Sequence, residues 1–375
     1  MNFTIISDTE QLNRACLTAS THPTIMLDTE FVKTRTLYPR LGLIQLYDGE
    51  NLSLIDPIAI EDMSSLWDLL VNPDVLKVLH ACSEDLEVFL NECGQLPTPM
   101  FDTQIMAAFL GHGLSTGFAA LVKEYFEVEL DKGESRTDWM ARPLSDKQLK
   151  YAAADVYYLY PLFEVLQQKV NKEGKKQALD YECQAMLDKK RKVADLDCAY
   201  LDIKNSWQLD PKELAILKIV AKWRQLEARK RNLALNFVVK EANLWKLARY
   251  QPTNKSELFE LGFEKMEIHY HGGRLLQMVE QGKILPESEY PEKITRIIDY
   301  PNYKELMTKL RQIVSTVATK YQLAPEFIAS KRQLNQLLSW AWKYQCADDK
   351  RPEVIKGWRL ELVGRELLEL LSPEE

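Results

Sequence analysis

The stretch that most constrains this chain is Asp28-Thr29-Glu30, at the end of the apolar run Thr24-Ile25-Met26-Leu27. In a β-strand, residues i and i+2 share a face, so Asp28 and Glu30 point the same way and Thr29 points opposite. Two carboxylates held that close repel, and one must take up a proton or share a cation. The apolar approach favours a buried, fixed site. An acidic surface loop is the alternative if the pair stands alone.

The chain has 375 residues, too many for one ordinary core, which points to two or three domains. Hydrophobic residues make up 46% and charged residues 27%, a composition that fits a globular protein. No apolar run approaches the roughly 20 residues that span a bilayer, and the start lacks a leader pattern, so a cytosolic protein without membrane partners is expected. Cys16, Cys82, Cys93, Cys183, Cys198 and Cys346 form no Cys-x-x-Cys pair. Neither a zinc site nor a disulfide framework is expected, and the cysteines are read as reduced and mostly core.

The net charge of −7 is unevenly spread. Residues 1–200 hold 19 Lys/Arg against 31 Asp/Glu, whereas residues 201–375 hold 29 against 24. Within the second half, residues 206–249 carry ten basic and four acidic side chains. This fits a metal-dependent catalytic domain followed by a polyanion-binding region, and equally an acidic fold with a solvated helical tail.

Along the first half, Phe3–Ile6 predicts a strand, and Ser7-Asp8-Thr9-Glu10 a capping box that opens a helix to about Thr18. The strand ending in Asp28 and Glu30 follows. Two β-rich runs, 42–47 and 51–55, flank Asp48-Gly49 and predict a hairpin, so strands two to four form an antiparallel meander. Further on come a helix at 66–71, a strand at 76–80, a helix at 83–90 capped by Ser83, and a strand at 100–103 leading into a helix at 104–110. Thr116 is placed as the cap of a helix through Tyr125. A second capping box, Ser145 to Gln148, starts a long helix containing Tyr151 and Asp155. The pattern is an α/β layer fold with a mixed sheet over residues 1–200.

Beyond Ser206 strand signals fade. Leu233-Ala234, Phe237-Val238 and Leu244 recur ninety residues on as Leu323-Ala324, Phe327-Ile328 and Leu334. Two copies of a small helical domain are expected, over 206–290 and 291–375.

Asp28 and Glu30, Asp85 in a helix's first turn, and Asp155 one turn after Tyr151 form an acidic constellation. On a helix, residues i and i+4 share a face, so Tyr151 and Asp155 point into one cleft. Four converging carboxylates without basic partners repel unless hard divalent cations sit among them, and two Mg²⁺ or Mn²⁺ ions suit phosphodiester hydrolysis.

Asp28-Thr29-Glu30-Phe31, His80-Ala81-Cys82-Ser83-Glu84-Asp85 and Tyr151-Ala152-Ala153-Ala154-Asp155 resemble the three exonuclease motifs of the DEDD superfamily, in its tyrosine-bearing branch. With Thr34–Thr36, Leu41–Leu46 and the stretch 132–139, the likeness is strongest to the bacterial ribonuclease D family. The C-terminal repeats resemble HRDC domains, helical nucleic-acid-binding modules that also occur in RecQ-type helicases. Glu84 departs from the aromatic residue that precedes this Asp in proofreading exonucleases, which counts against DNA proofreading.

The resemblance implies a ribonuclease H-like exonuclease domain and a 3′-to-5′ exoribonuclease that trims precursor transfer RNA and releases nucleoside 5′-monophosphates. It implies that Asp28, Glu30 and Asp155 hold one metal, that Asp28 bridges to a second supported by Asp85, and that Tyr151 orients the attacking water. A DNA exonuclease and an inert nucleic-acid-binding protein are the alternatives. A monomer is favoured, with the oligomeric state open.

Arg35, Tyr38 and Arg40 are candidate phosphate or base contacts, or ordinary loop residues. Lys222, Arg224, Arg229, Lys230, Arg231 and Lys240 are the candidate phosphate contacts of the helical half. Asp138 and Trp139 shape a substrate channel or lie on an exposed loop, whereas Asp102 is read as a helix cap and His80 as a buried, hydrogen-bonded histidine.

Overall fold

The computed structural model describes residues 1–131 and 133–371; Lys132 of the 132–139 motif and the last residues of the second helical copy lie outside the described residues. The first part of the chain runs β1 (Thr4–Ile6), α1 (Thr9–Ala19), β2 (Thr24–Val32), β3 (Arg40–Tyr47), β4 (Leu52–Ile55), α2 (Ser64–Val71), β5 (Leu76–Leu79), α3 (Ser83–Glu92), β6 (Met100–Asp102), α4 (Thr103–Phe109), α5 (Phe118–Phe126), α6 (Asp146–Lys172) and α7 (Lys176–Arg191).

The six strands form one sheet in the order β1-β4-β3-β2-β5-β6. β2–β3 and β3–β4 are antiparallel, as the meander predicts, and β1–β4, β2–β5 and β5–β6 are parallel. Ile25, Met26 and Leu27 of β2 are buried, and Ala152, Ala153 and Val156 let α6 lie close over β2, β3 and β4. The Ser145–Gln148 capping box opens α6, with Gln148 N donating to Ser145 Oγ at 3.2 Å and Ser145 N donating back at 3.0 Å.

Several local expectations shift. β2 does not end at the carboxylates: pairing with β3 carries it on to Val32, with a bulge between Glu30 and Phe31. The first helix is capped by Asp8, not Ser7: Asp8 Oδ1 accepts from Gln11 N at 2.8 Å, and the Gln11 side chain accepts from Ser7 N at 3.2 Å, so the expected Ser7–Glu10 box does not form. Ser83 lies inside α3, whose N-cap is Cys82. Thr116 turns back to donate to Gly113 O at 2.8 Å, and α5 starts from Gly117.

The chain divides into two compact units. One joins Met1–Val32, Pro39–Arg191 and the chain from Pro301; the other joins Lys33–Tyr38 to Lys192–Tyr300. The second unit contains α8 (Pro211–Arg231), α9 (Leu235–Val238), α10 (Glu241–Tyr250), α11 (Lys255–Glu260) and α12 (Lys265–Lys283). Its core gathers Leu214, Leu217, Val220, Leu244, Leu247 and Leu275, with Leu37 packed against it.

The repeat is structural. α13 (Tyr303–Tyr321), α14 (Pro325–Ile328) and α15 (Lys331–Trp342) follow α8, α9 and α10 at the ninety-residue offset. Asn232 and Gln322 end the first helix of each copy in the left-handed region, and Leu233 and Leu323 N–H groups each return to an alanine carbonyl at 3.0 Å. This second copy belongs to the same compact unit as the sheet. Phe327 and Trp358 stack against Phe109, with ring centroids 4.7 and 5.1 Å away. The buried Arg359 guanidinium pairs with Glu182 of α7 and donates to the carbonyls of Phe327 and Ile328, both at 2.9 Å. Gly357, at φ +49°, lies so close to Tyr181 that a Cβ would come within 2.7 Å of its ring.

Candidate active site

β2, α3 and α6 bring the acidic stations together. Asp28, Glu30 and Asp155 each offer a carboxylate oxygen within 4.8 Å of the others. Asp85 stands apart from that trio and accepts a hydrogen bond from the Thr29 hydroxyl. None of the four makes an ion pair with a basic side chain among the described residues.

The electrostatics follow from this crowding. Burial, then Asp85, Asp155 and Glu30, hold the Asp28 carboxyl well above its ordinary range. Burial, then Asp155 and Asp85, push Glu30 up to about 9. Burial raises Asp155 to about 7 against a hydrogen bond from Tyr151. Asp85 is raised to about 6 by burial, with the Thr29 hydrogen bond working the other way. The Tyr151 phenol is pushed up by burial and by Asp155, Glu30 and Asp28, so it keeps its proton. A carboxylate trio this close, with Glu30 buried and Asp28 and Asp155 half-buried, is a donor set for a hard divalent ion, which relieves both the repulsion and the desolvation.

In the surrounding scaffold Asp102 and His80 take the places expected of them, whereas the packing around Trp139 is not visible in the sequence. Trp139 is only 1% exposed, so it is not on an exposed loop, and its ring lies 6.1 Å from that of Tyr151. Asp138 is exposed and accepts from Met140 N at 2.9 Å. Gly42 faces Trp139 so closely that a Cβ would stand 2.5 Å from its carbonyl oxygen. Such a contact is invisible in sequence except as a glycine inside an otherwise apolar strand. Asp102 caps α4 by accepting from Gln104 N at 2.7 Å. His80 Nδ1 shares a hydrogen bond with the Thr103 hydroxyl at 2.9 Å, and burial lowers the pKa of the ring.

The basic candidates separate. Arg224 is buried and donates to Val239 O at 3.2 Å, so it is not a surface phosphate contact; its neighbours Val220, Ala221 and Ala228 place it on the core face of α8. Lys222 is held by both oxygens of Asp197 at 2.9 and 3.0 Å. Arg231 lies 3.6 Å from Glu227, and Lys240 pairs with Glu264. Arg229 is half-buried and Lys230 exposed. In the same unit, Arg35 O accepts from Ala234 N at 2.8 Å and its guanidinium sits 5.8 Å from the Phe237 ring, while Tyr38 N donates to Asn232 Oδ1 at 3.0 Å. Arg40 is exposed on β3, opposite Val32.

Comparison with known proteins agrees with this layout. Residues 3–171 match a 3′-5′ exonuclease family model, residues 213–279 an HRDC domain and residues 301–367 the C-terminal HRDC domain of ribonuclease D. The chain is 47% identical to ribonuclease D of Haemophilus influenzae, covering 99% of this chain and 93% of that one. It is also 47% identical to ribonuclease D of Escherichia coli K12, covering 99% of each. A crystal structure of the Escherichia coli enzyme, described as an exoribonuclease involved in structured RNA processing, superposes with a TM-score of 0.95 over 99% of both chains. Among the described residues no helix is long and apolar enough to cross a membrane. An exonuclease-type acidic site followed by HRDC modules, together with near-complete coverage by these relatives, places the chain in the ribonuclease D family of 3′-to-5′ exoribonucleases, whose fold class implies dependence on divalent metal.

Proposed function

We propose that this enzyme trims extra nucleotides from the 3′ ends of precursor transfer RNA, using two divalent ions, Mg²⁺ or Mn²⁺, and releasing nucleoside 5′-monophosphates. The observation that carries the metal reading is the trio of half-buried Asp28, buried Glu30 and half-buried Asp155, with carboxylate oxygens within 4.8 Å of one another. Asp28, Glu30 and Asp155 would hold one ion, and Asp28 and Asp85 would serve a second. Such ions, when bound, supply Lewis-acid polarisation of the scissile phosphodiester and make water a better nucleophile.

The chain's own groups do the rest. Tyr151 keeps its proton and donates it in a hydrogen bond to Asp155. Its phenolic oxygen retains lone pairs to accept from a water, which orients that water for attack on the terminal phosphodiester. Trp139, its ring tilted against that of Tyr151 at 6.1 Å, would limit the swing of the phenol. Residues 1–200 form the exonuclease domain, and 206–290 and 291–375 the two helical domains. Lys222, Arg229, Lys230, Arg231 and Lys240, with Arg35, Tyr38 and Arg40, are the proposed RNA contacts; Arg224 is not among them.

The test is digestion of a precursor transfer RNA carrying a 3′ extension, beside a matched DNA oligomer, with the 3′ ends sequenced. Stepwise shortening of the RNA by the native enzyme, lost in Asp28→Asn and Asp155→Asn with circular dichroism unchanged, is expected. Near-normal turnover in either variant would refute the site, and faster loss of the DNA would refute the substrate.

A further inference from the structure

Three consecutive residues of β2 face two ways. Asp28 and Glu30 gather with Asp155 of α6, while Thr29 between them turns to α3, where its hydroxyl donates to Asp85 Oδ1. Thr29 and Asp85 are both buried.

The turn that launches α3 is itself held from a different strand. Asp102, at the end of β6 and 1% exposed, accepts from Ala81 N at 2.9 Å through Oδ1 and from Cys82 N at 3.0 Å through Oδ2. Cys82, the N-cap of α3, makes no side-chain cap hydrogen bond, so Asp102 supplies an acceptor that the local sequence does not. Ala81 sits at φ +54°, a left-handed conformation that alanine keeps only where its surroundings hold it. On the other side of the turn, His80 is tied to Thr103, the residue after Asp102.

We propose that Thr29 and Asp102 are positioning residues for Asp85, Thr29 fixing the direction of its carboxylate and Asp102 fixing the backbone turn from which its helix starts. This rests on the reading of Asp85 as a metal-supporting carboxylate. The choice of groups follows from charge. Asp85 is repelled by Asp28 and Glu30 and swings away unless held. A lysine or arginine would hold it, but would also bring a positive charge that competes with a metal ion. A neutral hydroxyl and a carboxylate acting through backbone amides hold it without bringing such a charge, although the negative charge of Asp102 itself works to raise the Asp85 carboxyl. The central residue of Asp28-Thr29-Glu30 is thus the link between the carboxylates on β2 and the one on α3.

The experiment compares full-length Thr29→Val, Thr29→Ser, Asp102→Asn and Asp85→Asn with the native chain. It measures Mn²⁺ binding by calorimetry without RNA, and the metal dependence of kcat and KM with a short RNA. Thr29→Val keeps the side-chain shape and deletes the donor; Asp102→Asn turns an amide NH₂ toward the N–H groups of Ala81 or Cys82. Both are expected to weaken Mn²⁺ binding roughly 10- to 100-fold, the usual effect of losing a group that orients a ligand. The metal concentration needed for half-maximal kcat rises in step while KM for RNA stays near native, and Thr29→Ser restores the affinity, as general destabilisation would not. Should Asp102→Asn fold poorly, adding Ala81→Gly supplies the left-handed residue without strain and isolates the positional loss. Native Mn²⁺ affinity in either Thr29→Val or folded Asp102→Asn, alongside loss in Asp85→Asn, overturns the proposal. Native binding and rate in Asp85→Asn would instead overturn the reading of Asp85 on which it rests.

Discussion

Arg142 grips both carboxylate oxygens of Asp56, through Nε and Nη2 at 2.7 Å each, while its remaining donors reach the backbone carbonyls of Gly42, Trp139 and Ala141. One guanidinium thereby ties the end of β4, the middle of β3 and the Trp139 segment into a single corner beside Tyr151. Burial works to raise the Asp56 carboxyl, but the Arg142 hydrogen bonds and the Ile58 amide outweigh it, so its pKa lies below the ordinary range. A depressed carboxyl stabilises the fold above its unfolded-state pKa, and that contribution is lost as pH falls through the folded one. The melting temperature of the native protein is therefore expected to fall more steeply than that of Asp56→Asn as pH drops from about 5 to about 3, measured by scanning calorimetry.

Gly42→Ala places a methyl carbon 2.5 Å from Trp139 O and must displace that segment. We expect a stability loss of about 1–3 kcal/mol in urea unfolding, the range for overpacking. A lower kcat with unchanged Mn²⁺ affinity is also expected, because the carboxylates stay in place while Tyr151 loses its neighbour. An unaltered kcat would show that Trp139 does not support the phenol.

Tyr151→Phe keeps the ring and deletes the hydroxyl. The expected loss in kcat is about 10²- to 10⁴-fold, with RNA affinity nearly unchanged. An equal loss of affinity, measured by fluorescence anisotropy, would make Tyr151 a stacking platform for the substrate.

The metal-free protein carries raised carboxyls at Asp85, Asp155 and Glu30, at about 6, 7 and 9. An unfolded chain releases these protons near pH 4, whereas the folded one retains them. Their stabilising contribution is thus complete below the unfolded-state pKa and disappears as pH rises through the folded values. The melting temperature in chelator should decline between about pH 5 and 9, and Mg²⁺ should restore more of it at the alkaline end. A metal-free melting temperature independent of pH would contradict the crowding.

Glu182→Ala leaves the Arg359 guanidinium buried without its carboxylate. Removing one partner of a buried pair costs about 3–5 kcal/mol, to be read from urea unfolding of the full chain. A loss below about 1 kcal/mol, the level of an exposed pair, would mean that this joint is solvated.

What was legible in the sequence was local or periodic. The Ser145 capping box, the hairpin around Gly49, the acidic motifs and the ninety-residue repeat depend on neighbours a few residues apart or on self-similarity. What was missed depends on distant partners. β2 continues past Glu30 because β3 pairs with it, overriding the polar residues that suggested an end. The role of Thr29, placed by the alternation on the face opposite the carboxylates, is not legible locally because its partner is 56 positions away. Arg224 departs from its expected surface place for another reason: its charge marks it as a phosphate contact, whereas Val220 and Ala228, one turn to either side, mark its face of α8 as core.

The two helical copies also differ at one shared position. Phe237 in the first is 55% exposed, whereas its counterpart Phe327 in the second is 4% exposed and stacks against Phe109 and Trp358. In evolutionary terms, a module that carries an aromatic ring on its turn needs no new side chain to gain a docking partner. The same ring position is thus a joint in the second copy and a solvent-facing surface in the first.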